Sequence, residues 1–565
     1  MNLPDALARR LAVAGKALLF VVLGVILYLG WREFYFLTDD AFITFRYIDH
    51  HRRGWGYTWN PPPFQVVEGY SNFLWMILLE GVWIVTGATP PRAANVVSLI
   101  LSGASLAIAF AGAYRAPLPP AWQPRRLWLA VSVVIYALAS RTFLTWTSSG
   151  LETSLFGLCV VAWVWSALEL SRDPARRWLW VASASAAASA LTRPDGMLLA
   201  LGTAALAAHL FFFAFAFAAR PRAVASLLGM APLLAVPIHL LWRRAYYGAW
   251  VPNTYHAKLV SAWPEAGVRY AASFILEQGL IFWALPGLVA LAFVIRRARR
   301  EGLPPGLVRR SLPVAVAVGV LLAHAAYYTL VIGGDHFEYR VFAHLVIPLG
   351  WALARFAVLL PARPAVGLAV FFLVTAIALP VPWVHHARSR RRVTRKETIH
   401  MVVPIADAFP AGPARAYAAA FDELQAWMAE RYVGTRAQEH KVFWQDQLAR
   451  FPSRAEGKKV GWDQRLVAVL QSVGISGWVM PEVAILDRHG LNDRVVARTK
   501  VEKPPARRLM AHERTPPPGY IECFDPNVVI SGRRVLLAPG KAPITDERIR
   551  ECEARFAVTS DDPGK

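Results

Sequence analysis

Cysteine is scarce in this chain. Three occur in 565 residues: Cys159 sits in an apolar stretch, Cys523 and Cys552 in the polar C-terminal part. None stands in a CxxC or Cys/His spacing, so no structural metal is expected. GxGxxG and Walker patterns are missing too, which makes Gly333-Gly334 a tight turn before it is a phosphate cradle. Acidic residues are outnumbered 38 to 61 by Lys and Arg, and a formal charge of +23 would suit a nucleic acid partner. Much of that charge, however, lies in short loops between apolar runs, where positive residues orient membrane helices, so no nucleic acid is expected. No small-residue cleavage site follows the first apolar run. Arg9, Arg10 and Lys16 precede residues 17–31, and Trp31-Arg32-Glu33-Phe34 closes them, so the run reads as an uncleaved helix starting in the cytoplasm.

What is abundant is apolar sequence. Hydrophobic residues make up 56% of the chain and fall in runs of about 20, the length that crosses a bilayer. The chain reads as an α-helical polytopic membrane protein. After 17–31, spans are expected at 93–113, 127–147, 150–170, 176–192, 196–219, 223–242, 272–295, 311–331, 340–360 and 364–384, about eleven in all. The run 72–85 is short, and counting it as a crossing would put the Arg125-Arg126 loop outside. It is expected to dip into the outer leaflet or to lie against the bundle. The basic loops 172–177, 220–222 and 296–310 then face the cytoplasm.

An odd number of crossings leaves residues 385–565 outside as a soluble α+β domain, next to a membrane domain of residues 1–384. Strands are expected at 465–473, 479–487 and 528–530. Arg388, Arg390, Arg391, Arg392, Arg395 and Lys396 follow the last span directly and would ordinarily argue for the cytoplasm. On the outer side they are expected to hold anionic lipid headgroups or phosphates. An oxidising compartment would admit a Cys523–Cys552 disulfide, and two free thiols fit the sequence equally well.

This topology gathers polar residues at the outer ends of the helices. The first external loop brings Asp39, Asp40 and Arg46, then Glu68, Tyr70 and Asn72; later turns bring Glu152, Arg193 and Asp195. Two further loops bring Asn253, Tyr255, His256 and Lys258, and Asp335, His336 and Arg340. A lipid-phosphate sugar donor needs a cationic cradle for its leaving phosphate, a base for the acceptor hydroxyl and aromatic walls for the sugar. Asp39 or Asp40 would be the base, its neighbour positioning the acceptor or tuning it; Arg46, His256, Lys258 and Arg340 would hold the phosphate.

Each residue also has a plainer reading. Asp39 and Asp40 suit the cap of a helix beginning at Ala41, Glu68 and Glu152 suit bonds at helix ends, and Arg193 and Asp195 suit a turn pair flanking Pro194. A lone His256 suits a structural role, and Asp335-His336 is too little to define a cation site. Most of the 22 Trp suit an interfacial belt and helix packing.

The runs Asp39-Asp40-Ala41-Phe42-Ile43-Thr44-Phe45-Arg46-Tyr47 and Val67-Glu68-Gly69-Tyr70-Ser71-Asn72-Phe73-Leu74-Trp75 resemble the opening of GT-C membrane glycosyltransferases, and among them the terminal arabinofuranosyltransferases of actinobacterial cell walls. Ser149-Gly150-Leu151-Glu152-Thr153, Arg193-Pro194-Asp195-Gly196, Pro252-Asn253-Thr254-Tyr255-His256-Ala257-Lys258 and Gly333-Gly334-Asp335-His336 extend the resemblance over most of the membrane region. It implies inverting transfer from a polyprenyl-phosphate sugar at the outer face of the cytoplasmic membrane, with an acid of the Asp39-Asp40 pair as base and a cell-envelope glycan or glycolipid as acceptor. It also implies an outer domain that helps bind the acceptor, and leaves Mg²⁺ open. Two other classes meet the composition. A transporter or flippase of lipid-linked sugars would carry ionisable residues near the midplane or repeated halves, and a receptor or scaffold would leave the clustered acids without a task.

Overall fold

The computed structural model describes residues 5–214, 227–258, 261–302, 306–501, 508–510, 513–531 and 533–558. Among them, eight helices are long and apolar enough to cross a membrane: Val13–Glu33, Pro90–Tyr114, Thr153–Leu170, Pro194–Phe212, Leu280–Glu301, Leu307–Ile332, Arg340–Leu359 and Pro364–Ser389. The protein is an α-helical multi-pass membrane protein with a mixed α/β tail.

Where helix bounds and lengths depart from those expected, the causes are local. The expected span 127–147 breaks at Ser140, whose hydroxyl caps a new helix by accepting from the Phe143 N–H, leaving Arg126–Ala139 and Arg141–Thr145. Residues 176–192 do form a helix, Arg176–Thr192, which at 17 residues with three serines is shorter than those eight. The expected 223–242 becomes a 3₁₀ turn, Leu228–Leu234, followed by Ala235–Tyr247; residues 215–226, which include the end of the expected 196–219, lie outside the described residues. The expected 272–295 divides at Gly279, whose φ of +61° ends Pro264–Glu277 and lets the chain turn into Leu280–Glu301. The short apolar run is a helix of 14 residues, Phe73–Thr86, about 21 Å long against a hydrocarbon core of about 30 Å.

Small residues let the apolar helices approach closely. A side chain at Gly202 would strike Trp163 and Val320, and the Trp163 indole N–H donates to the Thr203 hydroxyl at 2.8 Å.

The tail contains two parallel strands, Val467–Leu470 and Ala484–Asp487, and an antiparallel hairpin, Val528–Ser531 with Arg534–Leu537. The expected strand 479–487 is only half strand. Its start completes a short helix, Gly474–Val479, which serves as the crossover between the parallel strands. Cys523 and Cys552 are joined as a disulfide.

The tail is not tethered by a free linker. Phe42, Phe45, Tyr47 and Trp59 of the first loop share one core with Trp478, Met480, Val483 and Ile485 of the tail. A second seam is ionic and buried. The Arg141 guanidinium reaches Glu277 at 3.1 Å and Glu338 at 2.5 Å, and Arg436 of the tail reaches the same two acids at 3.1 and 2.7 Å. The last membrane helix itself runs on to Ser389.

Candidate active site

The motif helix Asp39–Arg52 starts at Thr38, whose extended backbone and hydroxyl cap it by accepting from the Ala41 N–H at 3.3 Å. Asp39 and Asp40 therefore occupy the first turn, where the helix dipole favours acids, without being needed as caps. Their partners differ. The Asp39 carboxylate accepts from the backbone N–H groups of Ile475 at 2.8 Å and Gly474 at 3.1 Å, at the start of the tail's short helix. Burial pushes its pKa up to about 6; the nearby charge of Asp40 adds to the rise, and the two amides oppose it. The Asp40 carboxylate has no hydrogen bond or ion pair among the described residues, and its charge acts on Lys258.

Lys258 ends the short helix Asn253–Lys258. The residue is exposed while protein lies close around it. That enclosure lowers its pKa; Asp40 and Asp335 oppose the fall, and Arg340 and Arg193 add to it. Arg340 is held by Asp335 in a two-point pair at 2.7 and 3.1 Å, its guanidinium 4.4 Å from the centre of the Phe337 ring. Arg193 is held from three sides: by Glu152 at 3.0 Å, by Asp195 at 3.1 Å and by the Tyr328 hydroxyl at 2.9 Å. Asn72 donates to the other oxygen of Glu152 at 3.2 Å and accepts from Thr44 at 3.1 Å, tying this acid to the motif helix. The sequence-expected residues Asp40, Asn72, Glu152, Arg193, Asp195, Lys258, Asp335 and Arg340 thus form one cluster in which cations and acids act on one another.

Others are placed elsewhere. Arg46 does not join the cradle. It is fully buried, and its guanidinium donates to the carbonyls of Trp59 (2.8 Å), Gly477 (2.8 Å), Met480 (3.1 Å) and Val483 (2.8 Å), so four of its five N–H bonds are already committed to backbone. Asn253 is a clasp. Its amide donates to the carbonyls of Gly490, Leu491 and Asp493, and its oxygen accepts from Arg498. Glu68 is buried 2.8 Å from Arg243, and burial lifts its pKa to about 7 against the pull of that arginine. Tyr70 is buried and its hydroxyl meets that of Tyr247 at 3.0 Å.

His256 is not a cation at neutral pH: burial, then Arg498, Arg514 and Arg494, lower its pKa to about 4. Tyr255 is half exposed, its ring edge-on to His256. The His336 ring nitrogen Nδ1 lies 3.0 Å from the Tyr432 carbonyl, so it anchors the tail.

Sequence reasoning missed Tyr328, His324 and the amides of Gly474 and Ile475. Tyr328 and His324 lie within an apolar span and carried no polar neighbours to flag them, yet Tyr328 donates to Asp195 at 3.0 Å and His324 approaches it at 3.7 Å. The two glycines of the tail helix have a visible reason only in three dimensions. A side chain at Gly474 would overlap the Asp39 carbonyl oxygen, and one at Gly477 would meet Arg46 and Trp59 at 2.9 Å. Among the described residues, no three His, Cys, Asp or Glu side chains stand together as metal ligands.

The fold is that of the GT-C class. ArnT from Cupriavidus metallidurans in the apo state is similar over 88% of this chain and 89% of its own, with a TM-score of 0.50 at 12% identity. The crystal structure of the same protein bound to undecaprenyl phosphate is similar over 84% and 86%, with a TM-score of 0.48 at 10% identity. No protein-family model matches the chain, and no curated protein matches it in sequence.

Proposed function

We propose that this chain is an inverting glycosyltransferase that moves a sugar, arabinofuranose by resemblance of the first-loop motif, from a polyprenyl-phosphate donor to a cell-envelope glycan or glycolipid. The observation that carries the reading is Asp40, an unpartnered carboxylate in the first turn of the motif helix, beside a lysine that shares its surroundings with two held arginines. Asp40 takes the proton of the acceptor hydroxyl as that oxygen bonds to the anomeric carbon. The bond from this carbon to the phosphate oxygen breaks on the opposite face, inverting the centre. The electron pair leaves with the polyprenyl phosphate, whose charge Lys258, Arg340 and Arg193 balance. Asp39 is a positioning residue, because its oxygens are engaged by the tail.

Two features support an extracytoplasmic site on the cytoplasmic membrane. The basic residues around Arg176, at 296–300 and at 309–310 lie at the ends of their helices opposite those that lead to Arg193 and Asp335, and the tail holds a disulfide. The test is transfer of radiolabelled sugar by purified protein from a panel of polyprenyl-phosphate donors. Turnover with one donor, reduced on the order of 10²–10⁴-fold in Asp40→Asn with donor binding retained, is the expected result. An Asp40→Asn variant as fast as the parent removes Asp40 from the chemistry, and no turnover with any donor overturns the reading.

A further inference from the structure

Six cations, Arg388 to Lys396, stand at and just beyond the end of the last membrane helix, and the structure divides them into two groups. Arg388 is committed to Asp407 at 2.6 Å and to the Pro404 carbonyl, Arg390 to Glu33 at 2.6 Å, and Arg395 to Glu439 at 3.1 Å with its guanidinium over the Phe443 ring. Among the described residues, the side chains of Arg391, Arg392 and Lys396 make no hydrogen bond or ion pair. All three are exposed. Arg391 and Arg392 line an open cleft of about 510 Å³ with Arg388, Glu397, Val403 and Pro404. The one acid there, Glu397, is turned to its own helix start. It accepts from the Val393 and Thr394 amides and the Thr394 hydroxyl in a capping box, while the charge of Arg392 acts on it from nearby.

The cleft begins where Pro364–Ser389 leaves the membrane, so its free arginines stand at the level of lipid headgroups. The same stretch exposes apolar side chains among and just after the cations: Val393 at 67%, Ile399 at 45% and Val402 at 41%. Free cations, an open cleft and exposed aliphatic groups next to a membrane helix together match an acidic phospholipid, with its phosphate on the arginines and its chains along the aliphatic side chains. We infer that the cleft of Arg391 and Arg392 is a binding site for the headgroup of an acidic phospholipid, separate from the Lys258 cluster and unconnected with the donor.

The site can be tested by native mass spectrometry of the full chain released from vesicles of phosphatidylcholine containing phosphatidylglycerol. One retained phosphatidylglycerol is expected, bound about thirtyfold more weakly by Arg391→Ala/Arg392→Ala, since each cation near the surface contributes about a factor of five. An Arg299→Ala/Arg300→Ala control, at the other end of the bundle, is expected to retain the lipid. Equal retention by the cleft variant and its parent overturns the inference, as does equal retention of phosphatidylcholine. Full displacement by millimolar inorganic phosphate also overturns it, because a free anion would then suffice. The readout is bound lipid rather than sugar transfer, so the outcome is independent of whether the donor reading stands.

Discussion

Replacing Asp39 by Asn tests how the tail and the motif helix hold one another. In the closed state burial raises the Asp39 carboxyl from its ordinary 3.8 to about 6, with Asp40 adding to the rise and the Ile475 and Gly474 amides opposing it. When the helix Gly474–Val479 lifts away, Asp39 returns to water and to its ordinary value. The closed state therefore prefers the protonated acid. The stability this confers is complete below about pH 4 and is lost as pH rises through about 6, a difference of about a hundredfold, or ~3 kcal/mol. The asparagine variant has no such proton to lose. Its amide N–H₂ would face one of the two backbone N–H groups, at a cost of about 1–3 kcal/mol that does not depend on pH. Hydrogen exchange of residues 474–479, compared between variant and parent at matched pH, cancels the intrinsic exchange rate. The ratio of protection, variant over parent, should climb by up to about 100-fold from pH 4 to pH 8. A ratio that stays level across that range would show that Asp39 does not titrate in this contact, and would refute the reasoning.

Lys258→Met should weaken binding of a polyprenyl phosphate by about tenfold or more while leaving the fold intact, measured by titration of intrinsic tryptophan fluorescence; unchanged affinity would take Lys258 out of the cradle. Arg46→Met strands four carbonyls in the seam between loop and tail and should destabilise that contact by about 3 kcal/mol, read as faster proteolysis of the tail with the membrane helices spared; parental resistance would contradict the clamp. A cysteine introduced at Arg299 should react with a membrane-impermeant reagent from the side opposite to one introduced at Glu430, and reaction from the same side would overturn the proposed orientation.

The sequence exposed the membrane architecture because apolar length is a local property, and the site cluster because its members sit beside turn residues at helix ends. It went wrong where partners are remote. Arg46 reads as a phosphate ligand until the carbonyls of Gly477, Met480 and Val483, more than 430 positions away, are seen to fill its guanidinium. Asn253 likewise looks like a ligand until the loop 490–493 closes on it. Asp39 and Asp40 are indistinguishable as adjacent letters; only the amides of Gly474 and Ile475 separate the held acid from the free one. The span bounds moved for a different reason. Ser140 and Gly279 interrupt apolar stretches that composition alone reads as continuous.

The bond between Asp39 and Gly474 joins positions 435 residues apart. During synthesis the motif acids leave the ribosome early, while the amides that engage one of them are made only near the end. A nascent or truncated chain that stops before this point presents both carboxylates unheld, with Arg46 lacking three of its four carbonyls. The seam is therefore completed only once the tail has been made and has docked.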